Sequence, residues 1–252
     1  MHICVFKKES ILSLFIIFLC IGILIGTATK KSKETSLNIK KIPIYAVMRN
    51  DKKIAVTFDV AWGNEDIDEI LNVLKSHNAT GTFFIVGEWA EKFPQDVLKI
   101  FNANNTIGNH SYSHKDFTKC SKDEIKKEIT LCNEKLKSIT NSDVNLLRVP
   151  SGAYSDDSIS IGNSLDMYTI QWDVDSLDYR KLSVDEITKR VLNRVQSGSI
   201  ILFHTGVKNT AAALDLCLTE LEKQGYSFVS VNDLIYKENY TIDHTGRQKL
   251  SP

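Results

Sequence analysis

Two histidines four residues apart, His110 and His114 in the run His-Ser-Tyr-Ser-His, can present their imidazoles to one divalent ion of borderline softness. Other ionisable residues accompany them down the chain: Asp59, Arg148, the pair Asp175 and Asp178, and His204. Each follows an apolar run: Ile54–Phe58 precedes Asp59, Leu146 and Leu147 precede Arg148, and Ile200–Phe203 precedes His204. A carboxylate at the end of a buried strand is costly unless it meets a cation or donor, and Asp59 and Arg148 can be each other's partner. A carboxylate from the Trp172–Tyr179 stretch can orient His204 as a general acid. Taken singly, Asp59 reads as a helix cap, Arg148 as a rim ion pair, and His204 as a satisfied core residue. Taken in order, they read as one active site gathered from strand ends, beside a histidine pair able to hold a divalent ion.

Collecting such residues requires strands that all exit at one end. Strands and helices alternate as that demands. Ile42–Met48 and Lys53–Val60 are predicted to form a hairpin across Arg49-Asn50-Asp51, and a helix follows, with Asn64 as its cap. Thr80–Val86, Thr106–His110, Leu146–Val149, Met167–Val174, Ser199–His204 and Ser227–Val231 read as strands. Between them lie helical patterns: Trp89–Asn102, interrupted near Pro94; a segment opened by the capping box Ser121-x-x-Glu124; and another opened by Ser183-x-x-Glu186. The last helix runs over Ala211–Gln224 and stops at Gly225. The fold class expected is a distorted α/β barrel of about seven to eight strands.

The chain of 252 residues has equal numbers of basic and acidic residues, so no basic field argues for nucleic acid. Residues 11–28 are uncharged and rich in Ile, Leu and Phe, which suits a transmembrane anchor, and Gly26-Thr27-Ala28 matches a small-x-small cleavage pattern. The expected organisation is a short cytoplasmic segment (1–10), the anchor (11–28), a linker (29–41), a catalytic domain (42–237) placed outside the cytoplasm, and a polar tail (238–252). Cys120, Cys132 and Cys217 lack zinc-site spacing and imply no disulfide framework; they read as small buried residues.

On these motifs the chain resembles the polysaccharide deacetylases, the NodB-homology domain of family 4 of the carbohydrate esterases, over about Ile42 to Tyr236. The runs Thr57-Phe58-Asp59-Val-Ala-Trp-Gly and Trp172-Asp-Val-Asp-Ser-Leu-Asp look closest to the PdaB-like branch linked to bacterial spore formation. The resemblance implies a hydrolase that removes N-acetyl groups from cell-wall polysaccharide, acting on carbon–nitrogen bonds other than peptide bonds. It implies zinc or another divalent ion on His110 and His114, Asp59 as base paired with Arg148, and His204 as acid oriented by Asp178. It further implies the backbone N–H of Ser151 as oxyanion donor, and Leu202 and Tyr179 as walls of an acetyl pocket.

The sequence departs from the family pattern at three of these places. Val60 stands where most active members carry a second Asp, their third metal ligand. Ser151 replaces a usual Tyr and Tyr179 a usual Trp. Two readings follow: a deacetylase with a weakened metal site, in which water or Glu65 completes the shell, or a non-catalytic glycan-binding or structural wall protein whose metal site has degenerated.

Overall fold

A computed structural model describes residues 41–251. The expected anchor at 11–28 and most of the linker lie outside these residues. Among the described residues no helix is long and apolar enough to cross a membrane.

The strands are β1 (Ala46–Val47), β2 (Lys53–Val60), β3 (Gly81–Ile85), β4 (Thr106–Asn109), β5 (Leu146–Leu147), β6 (Tyr168–Thr169), β7 (Val174–Asp175), β8 (Ile200–His204), β9 (Ser227–Phe228), β10 (Tyr240–Ile242) and β11 (Arg247–Leu250). An all-parallel sheet runs β6-β5-β4-β3-β2-β8-β7, with β9 against the start of β2. Period-two alternation along β2 builds both sides of it. Ile54, Val56, Phe58 and Val60 join the apolar layer that includes Ile67, Ile70 and Leu74 of the helix Ile67–Ser76. That layer also takes Leu214, Leu218 and Leu221 from the helix Thr210–Lys223. Ala55 belongs instead to a second cluster with Ile44, Phe84 and Ile170, inside the curl.

The sheet curls as a partial barrel. Its outer strands β6 and β7 do not pair, and residues 44–46 fill in, bridging Ile44 to Ile170 and Ala46 to Ser199. This corrects the expected hairpin. Both edges of β2 are occupied by β3 and β8, so the preceding segment has no edge to pair with. It turns away at the Arg49–Asp51 ion pair, and β1 lies parallel to β11. The Val47 N–H donates to the Gly198 carbonyl at 2.8 Å.

Other boundaries shift for local reasons. The expected strand Met167–Val174 is two short strands, because Gln171 and Asp173 leave the ladder to bond with Ile44 and Ile200. Asn64 does not cap; its amide donates to Asp96 at 2.7 Å. The interruption expected near Pro94 falls at Phe93, between the helices Gly87–Lys92 and Pro94–Asn102. The stretch taken as a polar tail is an ordered hairpin of β10 and β11, turning at Gly246 (φ +82°). Buried Gln248 pins it through both amide atoms to the Tyr236 backbone (2.8 and 2.7 Å). Cys132 and Cys217 are buried, and all three described cysteines are free.

Two stability predictions follow from this packing. Gly198 has φ +82°, and a methyl group there overlaps the Val47 carbonyl oxygen. Gly198→Ala should cost about 2–4 kcal/mol, read as a fall in Tm; an unchanged Tm contradicts this account of the bridge. His77 joins Asp215 (2.9 Å) and Glu222 (3.0 Å) on the neighbouring helix. Burial opposes its imidazolium, but the two carboxylates prevail and raise its pKa above 6.5. That contribution is therefore complete below pH 6.5 and is lost as pH rises through the raised value. The Tm deficit of His77→Gln should be larger at pH 5.5 than at pH 8.5, as checked by paired thermal melts.

Candidate active site

Parallel register sets the site. Asp59 on β2 lies directly opposite His204 on β8. Asn109, the last residue of β4, organises the histidine loop that follows it. Its amide donates to Ile129 (2.9 Å) and Asn133 (2.7 Å), and its side-chain oxygen accepts the Ser111 N–H at 2.8 Å. The loop is not a helical turn: Ser111 (φ +63°) and His114 (φ +56°) are left-handed. Glu128 holds it from below, accepting the Ser113 N–H at 2.7 Å and hydroxyl at 2.8 Å. Sequence reasoning missed Asn109 and Glu128. The available signal for Glu128 was its position on the otherwise apolar face of the helix Lys122–Thr140, three residues after Ile125.

Arg148 is fully buried and grips Asp59 from beneath, Nη1 donating to Oδ1 at 2.8 Å. Its Nη2 donates to the Gln171 carbonyl at 3.0 Å, and its guanidinium lies 4.0 Å over the Phe84 ring. Burial alone raises the pKa of Asp59, but the charges of His110, Arg148 and His204 outweigh it and hold the carboxyl below its ordinary value. Arg148 is the permanent one of these charges. His110 is itself neutral near pH 7, because burial pushes its pKa down to about 4.

The Arg148 carbonyl also sits 2.8 Å from His110 Nδ1. A carbonyl only accepts, so Nδ1 carries the proton and Nε2 holds a lone pair. That Nε2 is buried without a hydrogen-bond partner and stands 3.4 Å from Asp59 Oδ2. Two acceptors facing each other in a buried corner call for a cation between or beside them. His114 adds a second imidazole, its ring centroid 5.0 Å from that of His110, with a pKa also lowered by burial.

Across the opening, Asp178 is buried and saturated. Its Oδ1 accepts from His204 Nδ1 (2.8 Å) and the Tyr179 N–H (2.9 Å). Its Oδ2 accepts from the His204 N–H (2.8 Å) and the Thr210 hydroxyl (2.7 Å). Burial disfavours the His204 imidazolium, yet Asp178, Asp59 and Asp175 prevail and raise its pKa. Asp175 does not orient His204; its carboxylate accepts the Leu177 N–H at 2.9 Å.

Between these two halves lies a cavity of about 280 Å³. Of the residues singled out in the sequence, Asp59, His110, His114, Ser151, Asp175, Tyr179, Leu202 and His204 line it. Arg148 and Asp178 support it from behind through the bonds above. Ala61, Trp62 and Trp172 also line it and were missed. Trp62 had a legible signal, a large aromatic in the short link between strand and helix.

The donor set fits a divalent ion held by two neutral imidazoles, with an ionised carboxylate beside them. It stops one ligand short of the three protein ligands usual in catalytic zinc sites. Among the described residues no group of three His, Cys, Asp or Glu side chains is placed to hold a metal. Val60 is fully buried in the apolar layer and does not line the cavity. Glu65 is exposed and does not line it either.

The chain matches the polysaccharide deacetylase family over residues 46–170. It is 34% identical to the peptidoglycan-N-acetylmuramic acid deacetylase PdaA of Bacillus subtilis, over 82% of this chain and 80% of that protein. The chain belongs to the polysaccharide deacetylase family. A peptidoglycan-N-acetylglucosamine deacetylase of Bacillus cereus is also 34% identical, over 72% of this chain and 68% of that one. Among solved structures, a family 4 pseudoenzyme of Bacillus anthracis superimposes with a TM-score of 0.75 at 35% identity, covering 77% of this chain and 69% of that one. A mutant of that pseudoenzyme is described as having restored enzymatic activity. The curled, incompletely closed barrel seen here is thus the fold of this family.

The Asp59–Arg148 pair gives a direct prediction for a deacetylase fold with both charges buried. Arg148→Ala leaves Asp59 uncompensated and should cost about 3–5 kcal/mol. Adding Asp59→Ala to it should recover part of that loss, which a double-mutant cycle of denaturant midpoints measures. Additive effects would show that the two charges are not coupled.

Proposed function

We propose that this protein is a metal-dependent hydrolase that removes N-acetyl groups from cell-wall glycan of the peptidoglycan type. The observation that carries the reading is the pairing of an ionised, Arg-held carboxylate with an Asp-held imidazole across one cavity, beside two neutral histidines. The names of the relatives, peptidoglycan deacetylases, agree with it. The apolar run at 11–28 supports anchoring in a membrane with the domain outside the cytoplasm, facing the polymer. The motif likeness to the PdaB-like branch supports a role in spore formation.

A divalent ion on His110 and His114, zinc or a similar metal, would supply Lewis-acid polarisation of the acetamide carbonyl. Asp59 Oδ2, left free by Arg148, accepts a proton from the attacking water. Water oxygen bonds to the carbonyl carbon, and Ser151 offers its backbone N–H to the oxyanion. His204 gives its Nε2 proton to the sugar nitrogen as the carbon–nitrogen bond breaks, leaving acetate and a free amine. Leu202 and Tyr179 enclose the methyl group.

The second reading, a non-catalytic glycan-binding wall protein, is favoured by one observation, Val60 in the apolar layer where most active members carry a ligand. Acetate release from purified peptidoglycan, with zinc and then with chelator, separates the two. The hydrolase reading expects zinc-dependent acetate; no acetate at any metal concentration, with glycan still bound, supports the wall-protein reading.

Two further outcomes are expected. Because His204 acts protonated and its pKa is raised, the rate should hold beyond pH 6.5 and then fall on the alkaline side. A pH–rate profile that rises through neutrality would contradict His204 as the acid. Val60→Asp places a charge in the apolar layer and should lower Tm in chelator. If the new carboxylate reaches the two imidazoles, zinc should restore Tm and raise metal affinity; a Tm that zinc leaves low shows that residue 60 points away from the ion.

A further inference from the structure

Trp62 is 52% exposed, yet it is held in place. Its indole stacks on the His204 imidazole, with centroids 5.3 Å apart and planes 20° from parallel. The loop behind it is clamped on several sides. The Gly63 carbonyl accepts from Trp89 Nε1 at 3.3 Å. Gly206 approaches so closely that a methyl group there would come within 2.6 Å of the Gly63 nitrogen. Asp66 accepts the Gly206 N–H at 2.7 Å and the Val207 N–H at 3.3 Å, tying the loop after His204 to the helix that follows Trp62. On the other side Tyr179, 41% exposed, meets the same imidazole edge-on at 5.0 Å. Among the described residues, the exposed large apolar side chains that are aromatic are these two, and both lie at the cavity.

Shielding His204 accounts for one face of the indole but not for the exposed remainder. An exposed indole with one face fixed offers the electron-rich π surface that attracts the weakly positive C–H groups on the apolar side of a pyranose. Preorganisation by the clamped loop lowers the entropic cost of using it. The cavity, at about 280 Å³, has room for one acetylated sugar, so a ring resting on Trp62 belongs to the next unit of the chain. We propose that Trp62 is a stacking platform for the pyranose adjacent to the reacting one, so that the site selects a glycan chain over a free monosaccharide. This rests on the hydrolase reading only in placing the reacting sugar in the cavity.

Calorimetric titration of the full-length protein in detergent, with chelator present, tests it independently of turnover. The probes are N-acetylglucosamine and its β-1,4-linked tetramer. The wild type is expected to bind the tetramer at least about tenfold more tightly than the monosaccharide. Trp62→Ala should abolish that preference, bringing the tetramer to monosaccharide affinity ratio close to one; Trp62→Phe, which keeps a ring, should retain most of it. Melting temperatures of both variants check the fold. A wild type with no preference for the tetramer, or a Trp62→Ala variant that keeps it, overturns the proposal. Acetate release from the same samples, once zinc is restored, reads the hydrolase separately. Length preference without acetate leaves the platform standing and defeats the hydrolase, and acetate without length preference does the reverse.

Discussion

Burial of the Arg148 guanidinium is the constraint on which the site depends. A fully buried cation needs a carboxylate, a carbonyl and polarisable neighbours, and it finds Asp59, Gln171 and the faces of Phe84 and Trp172. Those partners come from separate parts of the chain, so satisfying Arg148 fixes how β2, β3 and the loop after β6 meet. The same residue acts a second time through its backbone. Its carbonyl takes the His110 Nδ1 proton and thereby turns the lone pair of Nε2 toward Asp59. One residue thus keeps the Asp59 carboxylate ionised with its side chain and sets the tautomer of His110 with its main chain.

The opposite wall repeats the logic with different groups. Asp178 has both oxygens doubly engaged, and each pair of bonds involves His204, by ring or by backbone. Charge is therefore divided across the cavity, with a carboxylate kept ionised on one side and an imidazole biased toward protonation on the other. Such separation of proton affinities is what general acid–base work requires. The two histidines of the loop between them stay neutral through burial, the state in which they can ligate a cation.

Much of this was legible in the sequence because strand-end chemistry is local. Asp59, Arg148 and His204 each follow an apolar run, and a parallel sheet brings such ends together without further information. What was not legible depends on edges and on partners distant in sequence. The segment before β2 was expected to pair with it, but β3 and β8, brought in from elsewhere, already take both edges. The terminal hairpin was hidden by its polar composition, since much of its order comes from pairing with β1, one buried glutamine, Arg247 and a glycine turn. By residue type and position Asp175 and Asp178 are alike; the family resemblance implies Asp178, and the chain after β7 brings that carboxylate to His204.

Of the three departures from the usual family pattern, Val60 is the one that bears on the metal site, and a structural neighbour described as a pseudoenzyme shows that the fold persists when activity does not. The central claim is narrower than activity: Arg148 holds His110 as the neutral Nδ1–H tautomer with Nε2 open to a cation. Nitrogen-15 NMR of the histidine side chains at pH 7, with and without zinc, addresses it directly. The expected result is a neutral His110 with a protonated Nδ1 and an Nε2 resonance that shifts on adding zinc. An imidazolium, an Nε2–H tautomer, or an Nε2 indifferent to zinc would contradict it.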